Sequence, residues 1–156
     1  MQYENAHIHQ LEALIACRLD YLAAAGAHLT QEDKMLTQER LETFFSAHLD
    51  KDFFVYTATD AGEIVSCAMM MVYERPFRPD LCTSAKIGVV YNVMTKEAYR
   101  GQGLATKVVE MLLADAKEKG LETVMLNATK AGMSIYKRLG FAERCYNEAN
   151  MVYDIE

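Results

Sequence analysis

Tyr99-Arg100-Gly101-Gln102-Gly103-Leu104-Ala105-Thr106 lies between an apolar run, Ile87 to Met94, and a run of helical character, Leu104 to Lys119. A strand, a glycine-rich turn and a helix in that order form a site for a phosphate-bearing ligand. The first N–H groups of a helix have no partner within it, and the helix dipole places partial positive charge there. Glycines let a ligand approach the main chain closely.

Two well-known nucleotide motifs fit this turn poorly. The P-loop requires G-x-x-x-x-G-K-[ST], and the chain has no such run. The dinucleotide fingerprint requires G-x-G-x-x-G directly after its strand. Gly101 and Gly103 match it, but Thr106 stands where the third glycine belongs, and Thr95 to Arg100 intervene as a polar loop.

Helical spacing of Ile8, Leu11, Ile15, Leu19 and Leu22 predicts a first helix from about His7 to Ala25, stopped by Gly26. Thr30 with Asp33 reads as a capping pair for a second helix ending near Leu49, with Leu41, Phe44, Phe45 and His48 as its stripe. Phe53 to Thr59 and Glu63 to Tyr73 form a predicted hairpin around Asp60-Ala61-Gly62. Glu74 to Thr83 is a loop with both prolines, and Lys86 to Met94 is a central strand. The motif helix presents Leu104, Val108, Met111, Leu112 and Ala116, and Gly120 ends it. Then come a strand at Thr123 to Ala128, a short helix at Ala131 to Leu139 closed by Gly140, and two last strands, Phe141 to Cys145 and Met151 to Ile155. This order predicts an α/β layered fold in one domain over residues 1–156.

Composition narrows the function classes. The chain is 51% hydrophobic and 24% charged, an ordinary globular balance. Its net charge of −6 argues against a nucleic-acid-binding surface. No apolar run reaches the roughly 18 residues of a membrane span, and Met1-Gln2-Tyr3-Glu4-Asn5 is unlike a signal peptide. Cys17, Cys67, Cys82 and Cys145 show no CxxC spacing and read as reduced thiols of a cytoplasmic protein. The four histidines all fall in the N-terminal helical part without metal-ligand spacing, so no metal is expected. No Ser-His-Asp or Cys-His wording supports a covalent acyl-enzyme.

Arg100-Gly101-Gln102-Gly103-Leu104-Ala105 fits the pattern [QR]-x-x-G-x-[GA], with Arg100, Gly103 and Ala105 at its fixed places. It resembles the acyl-CoA-binding motif of the GNAT family, the Gcn5-related N-acetyltransferases. Three further features carry the resemblance. Tyr91-Asn92-Val93-Met94-Thr95 is similar to the strand that ends beside the cofactor thioester. Tyr99 to Gly103 matches the aromatic-Arg-Gly-x-Gly wording, and Ile135-Tyr136-x-x-Leu139-Gly140-Phe141 matches the family's second signature. The resemblance is specific from about Ile87 to Phe141.

The resemblance implies a mixed, mostly antiparallel central sheet, splayed at the cofactor site and flanked by helices. It implies transfer of an acetyl group from acetyl-CoA to a primary amine of a small molecule or peptide, by direct attack in a ternary complex. The alternative is a non-catalytic acyl-CoA-binding or sensing module of the same fold. Backbone amides of Gly101, Gln102, Gly103, Leu104, Ala105 and Thr106 would hold the pyrophosphate, with Arg100 near a phosphate. Val93 and Met94 would pair with the pantetheine arm, and the amide near Met94 would face the developing oxyanion. Tyr136 is the implied acid for the leaving thiolate; a phenol pKa of about 10 suits proton donation without prior tuning. Where the family often carries asparagine, this chain has Thr129, which can cap the short helix and offer a hydroxyl; Asn127 would reach from the opposite face of its strand. Tyr91 and Asn92 are expected to line the acceptor pocket. Glu74 is the expected base, with Glu97 and Glu148 as weaker candidates. A homodimer is common in the family.

Overall fold

The computed structural model of the chain describes residues 1–77, 85–143 and 155. Among these residues five strands form one sheet: β1 (Gln2–Asn5), β2 (Phe53–Asp60), β3 (Glu63–Glu74), β4 (Lys86–Thr95) and β5 (Thr123–Leu126). Their spatial order is β1-β2-β3-β4-β5. The first four pair antiparallel and β4 pairs with β5 in parallel. The predicted mixed, mostly antiparallel sheet is therefore observed. Among the described residues four α-helices flank it: α1 (Leu11–Ala24), α2 (Gln31–His48), α3 (Leu104–Glu118) and α4 (Met133–Arg138).

Alternation along β2 and β3 builds two cores. Phe53, Val55, Cys67, Met69 and Met71 pack with Leu14, Ile15, Cys17 and Phe45 of α1 and α2. Their neighbours Tyr56, Ala58, Val65, Ala68 and Met70 pack with Val108, Val109 and Leu112 of α3 on the other face. A strand apolar on both faces must be covered on both, which makes three layers.

Local rules explain most boundaries. Thr30 and Asp33 form the expected capping box: Asp33 N–H donates to Thr30 Oγ1 at 3.1 Å and Thr30 N–H donates to Asp33 Oδ2 at 2.9 Å. The β2–β3 turn has Ala61 at φ 49° and Gly62 at φ 84°, the positive pair that a two-residue hairpin turn needs. The α1 stripe differs from the predicted one. Leu14, Ile15 and Cys17 are buried, whereas Ile8 lies in a 3-10 turn before the helix and is 50% exposed. Strand β1 was not expected. Its four residues are all exposed and carry no apolar alternation, because the edge position is fixed by backbone pairing to β2. Phe141 to Glu143 are irregular rather than the start of a strand. The rest of the two expected C-terminal strands, with Cys82, Cys145 and Glu148, lies outside the described residues.

Tyr56, fully buried on β2, donates its hydroxyl to Asp115 of α3, which also pairs with Lys119 at 2.6 Å. Burial, then the carboxylate, pushes the phenol far above its ordinary range, so it remains a donor. Tyr56→Phe is expected to cost about 1.5–3 kcal/mol, the range for a hydrogen bond to a charged group. Urea unfolding would show a lower midpoint at unchanged slope; an unchanged midpoint would mean that the contact adds nothing.

Candidate active site

Among the described residues, strand β4 has partners on both sides only over its first half. Its register with β5 runs from Ile87↔Thr123 to Val90↔Leu126, where β5 ends, while β4 continues to Thr95. At the same point the β3–β4 register steps from Met69↔Asn92 to Met70↔Val90, leaving Tyr91 as an extra, bulged residue. A bulge bends and twists its strand. The two strands thus part at a fork lined by Tyr21, Val90 to Val93, Leu126, Asn127, Thr129 and Tyr136. A larger cleft of about 1050 Å³ continues from it past Leu113 and Ala116 of α3 and Lys137 of α4.

Backbone direction decides what the fork offers. Lys96 N–H donates to Val65 O, and Met94 O accepts from Ser66 Oγ at 2.9 Å, so these alternate residues face β3. By the two-residue repeat of the pleat, Met94 N–H faces β3 as well, and the Val93 N–H faces the side that β5 has left. The amide that opens into the fork is therefore that of Val93 rather than the expected Met94.

The glycine turn lies after β4 and a short 3-10 turn, Glu97–Tyr99. Gly101 and Gly103 have φ of 79° and 80°, and Gly103 is the N-cap of α3. A side chain would strain both positions. Among the described residues no acceptor takes the N–H groups from Gly101 through Thr106; the first bond of the helix is Lys107 N–H to Gly103 O at 3.1 Å. This is a run of orphan donors at the positive end of a helix of fifteen residues. Arg100 is exposed and turns back, its Nε donating to Thr95 O at 3.2 Å. The Gln102 side chain likewise turns back to Ala98 O at 3.4 Å, so its amide nitrogen is what it contributes to the turn.

Tyr136 of α4 is half-buried at the fork and meets Phe141 edge-on at 5.7 Å between ring centroids. Burial first, and then neighbouring Tyr21, raises its pKa, so it holds its proton. Gly132, one turn earlier, leaves room for the ring: a Cβ there would stand 2.9 Å from Tyr136 Cε2. Gly132 has helical backbone angles, φ −81° and ψ −19°, so alanine would fit the main chain. Gly132→Ala should keep stability while pushing the phenol aside, lowering turnover by about tenfold. Unchanged turnover in a folded variant would mean that the ring position does not matter. Thr129 lines the fork and its Oγ1 accepts from Gly132 N–H at 3.2 Å, supporting the turn into α4.

Asn92 is in the fork wall, but its side chain is 1% exposed and used internally. Its Oδ1 accepts from Arg18 Nη1 at 3.2 Å and its Nδ2 donates to Cys67 Sγ at 3.5 Å. Cys67 is fully buried; a hydrogen bond to Cys17 and burial push its thiol well above the normal value. It therefore remains a neutral thiol, unsuited to carrying an acyl group. Tyr91 is exposed and its hydroxyl pairs with that of Tyr73 at 2.7 Å, which pushes the Tyr73 phenol up to about 12. Glu74 lies apart from this group. It stands opposite Lys86, 3.9 Å from its ammonium, five residues along β4 from Tyr91. At about 3.4 Å per residue that is roughly 17 Å from the fork. Glu97 is exposed in the 3-10 turn before the glycines. Arg18 and Tyr21, both on α1, were not singled out in the sequence. Their signal was a polar and an aromatic residue three apart beside the apolar stripe, which many surface helices show.

The sheet opens beside a helix N-terminus, with a run of free amides and a cleft between α3 and α4, an arrangement suited to an extended ligand that carries phosphate. The profile of the acetyltransferase (GNAT) family matches residues 17–141. The chain belongs to that family. A glucosamine 6-phosphate N-acetyltransferase of Oryza sativa subsp. japonica is 32% identical over 113 residues, spanning 70% of this chain and 66% of that protein. The chain thus matches just under two thirds of that relative's length. A glucosamine 6-phosphate N-acetyltransferase of Dictyostelium discoideum is 22% identical over 116 residues, 72% of this chain and 71% of that protein. Among solved structures, a predicted acetyltransferase of Clostridium acetobutylicum with acetyl-CoA superposes with a TM-score of 0.79. It is 21% identical and covers 96% of this chain and 95% of that one. The free amides, the glycine backbone and the fork fit acetyl-CoA. Among the described residues no group of three His, Cys, Asp or Glu is placed to hold a metal, and no helix is long and apolar enough to cross a membrane.

Proposed function

We propose that this protein acetylates the primary amine of a small molecule by direct attack on acetyl-CoA in a ternary complex. The observation that carries this reading is the fork itself, where the half-buried, protonated Tyr136 and the open Val93 N–H border one gap in the sheet. Amides of Gly101 to Thr106 hold the pyrophosphate, and the Val93 backbone pairs with the pantetheine arm and receives negative charge on the thioester oxygen. The amine enters from the α1 side, past Tyr21 and Tyr91. Its nitrogen forms the new C–N bond as the C–S bond breaks. The thiolate takes its proton from Tyr136, and the nitrogen's surplus proton restores the phenol. An amine arriving as its cation releases one further proton to water, because no described carboxylate contacts Tyr91 or Asn92 in place of the distant Glu74.

Amino sugars are the first acceptors to assay, because two relatives from different organisms are glucosamine 6-phosphate N-acetyltransferases. The test is free-thiol release from acetyl-CoA with glucosamine 6-phosphate, glucosamine, a polyamine and a short peptide with a free N-terminus. Turnover of a small amine well above the peptide supports the reading. Tight acetyl-CoA binding with no thiol release from any of them would favour a binding or sensing module instead.

A further inference from the structure

Arg18 on α1 is a half-buried residue whose guanidinium has no carboxylate in ion-pair reach among the described residues. Taking a cation part-way out of water without a counter-ion is unfavourable unless its donors are used. Its Nη1 reaches two acceptors at once, the carbonyl of Tyr91 at 3.4 Å and Oδ1 of Asn92 at 3.2 Å. Its Cζ lies 5.1 Å from the centre of the Tyr21 ring, a cation–π contact that fixes the plane of the fork of donors. Tyr91 is the bulged residue, whose main chain is out of the β3–β4 ladder. Bulges leave such groups unpaired unless something else takes them.

We propose that Arg18 is a positioning residue for acetyl transfer, a tie from α1 that holds the Tyr91–Asn92 segment and so aims the next amide, Val93 N–H, into the fork. The tie continues inward, since Asn92 Nδ2 donates to Cys67 at 3.5 Å and Cys67 is fully buried in the α1 core. The bulge would otherwise be free to adopt other registers, because among the described residues β3 is the one strand that pairs with β4 beyond Val90. Lysine cannot replace this function fully: an ammonium is a compact, strongly hydrated point charge and lacks the planar guanidinium that lies against the Tyr21 ring.

The tie rests on the functional reading of the fork, and its test has one arm that does not. Arg18→Met and Arg18→Lys would be compared with the parent by amide hydrogen exchange and by kinetics. The expected result for Arg18→Met is exchange about tenfold faster at Asn92 and Met94, with the β2–β3 amides unchanged. Its kcat should fall on the order of tenfold to a hundredfold with KM for acetyl-CoA and acceptor within about threefold, as misplacement of about 1 Å would give. Arg18→Lys should lie between the two. Unchanged exchange at Asn92 and Met94, or acceleration of the whole sheet together, overturns the proposal. So does a raised acceptor KM at preserved kcat, which would make Arg18 an acceptor-binding group. If the parent turns over no amine, the functional reading fails while the exchange arm still decides the tie; if Arg18→Met does not fold, Arg18→Lys decides both arms.

Discussion

Tyr136→Phe is expected to lower kcat by about a hundredfold to a thousandfold, the scale of a lost general acid, and to leave acetyl-CoA affinity within about twofold. The phenol is held at the fork by burial, by the edge of Phe141 and by the space that Gly132 leaves. Phenylalanine retains all of that packing and removes only the hydroxyl. The pKa of Tyr136 is raised by burial and by Tyr21. A raised phenol pKa keeps the acid form beyond the ordinary value of about 10, so kcat of the parent enzyme should not fall between pH 7 and 9 through loss of this proton. A decline in that window would assign the proton to another group. Rate and affinity lost together in Tyr136→Phe would make the tyrosine a packing residue.

Gly103→Glu is expected to abolish acetyl-CoA binding, with at least a hundredfold loss in affinity measured by calorimetry. Three effects act in the same direction. The residue sits at φ 80°, where a side chain is strained by about 1–2 kcal/mol. It is the N-cap of α3, so a side chain would project where the free amides collect. A carboxylate there would also occupy and repel from the anion site that the helix dipole creates. Gly103→Ala separates these effects: it carries the strain without the charge, and its loss should be much smaller. Unchanged affinity in the glutamate variant would remove the glycine turn from the cofactor site.

The elements legible in the sequence are those set by local chemistry. The capping pair Thr30 and Asp33, the turn Asp60-Ala61-Gly62 and the apolar face of α3 follow from capping, positive φ and helical period. The glycine turn before α3 was legible because positive φ at a helix start leaves a mark in the sequence, and the short helix that carries Tyr136 because Gly140 closes it. What escaped depends on pairing across the fold. Strand β1 has no pattern of its own, and only β2 gives it an edge. The bulge at Tyr91 is a register step between two strands, and nothing local in Tyr91-Asn92-Val93 marks it. That step decides which amide opens into the fork, moving it from Met94 to Val93. Asn92 reads as a polar acceptor-site residue in sequence, yet α1 packs over it and Arg18 takes its oxygen. Glu74 reads as close to the acceptor because it ends a strand, but antiparallel pairing carries it to the far end of β4 beside Lys86.

In the proposed reaction acetyl-CoA and an amine meet in the fork and react directly. Initial rates measured over a grid of acetyl-CoA and glucosamine 6-phosphate concentrations, or of the best amine in the panel, test it. Intersecting double-reciprocal lines, lost in Gly103→Glu, are the predicted result. Parallel lines would show an acyl-enzyme and contradict direct attack, and tight acetyl-CoA binding without thiol release from any amine would contradict the role of the fork in catalysis.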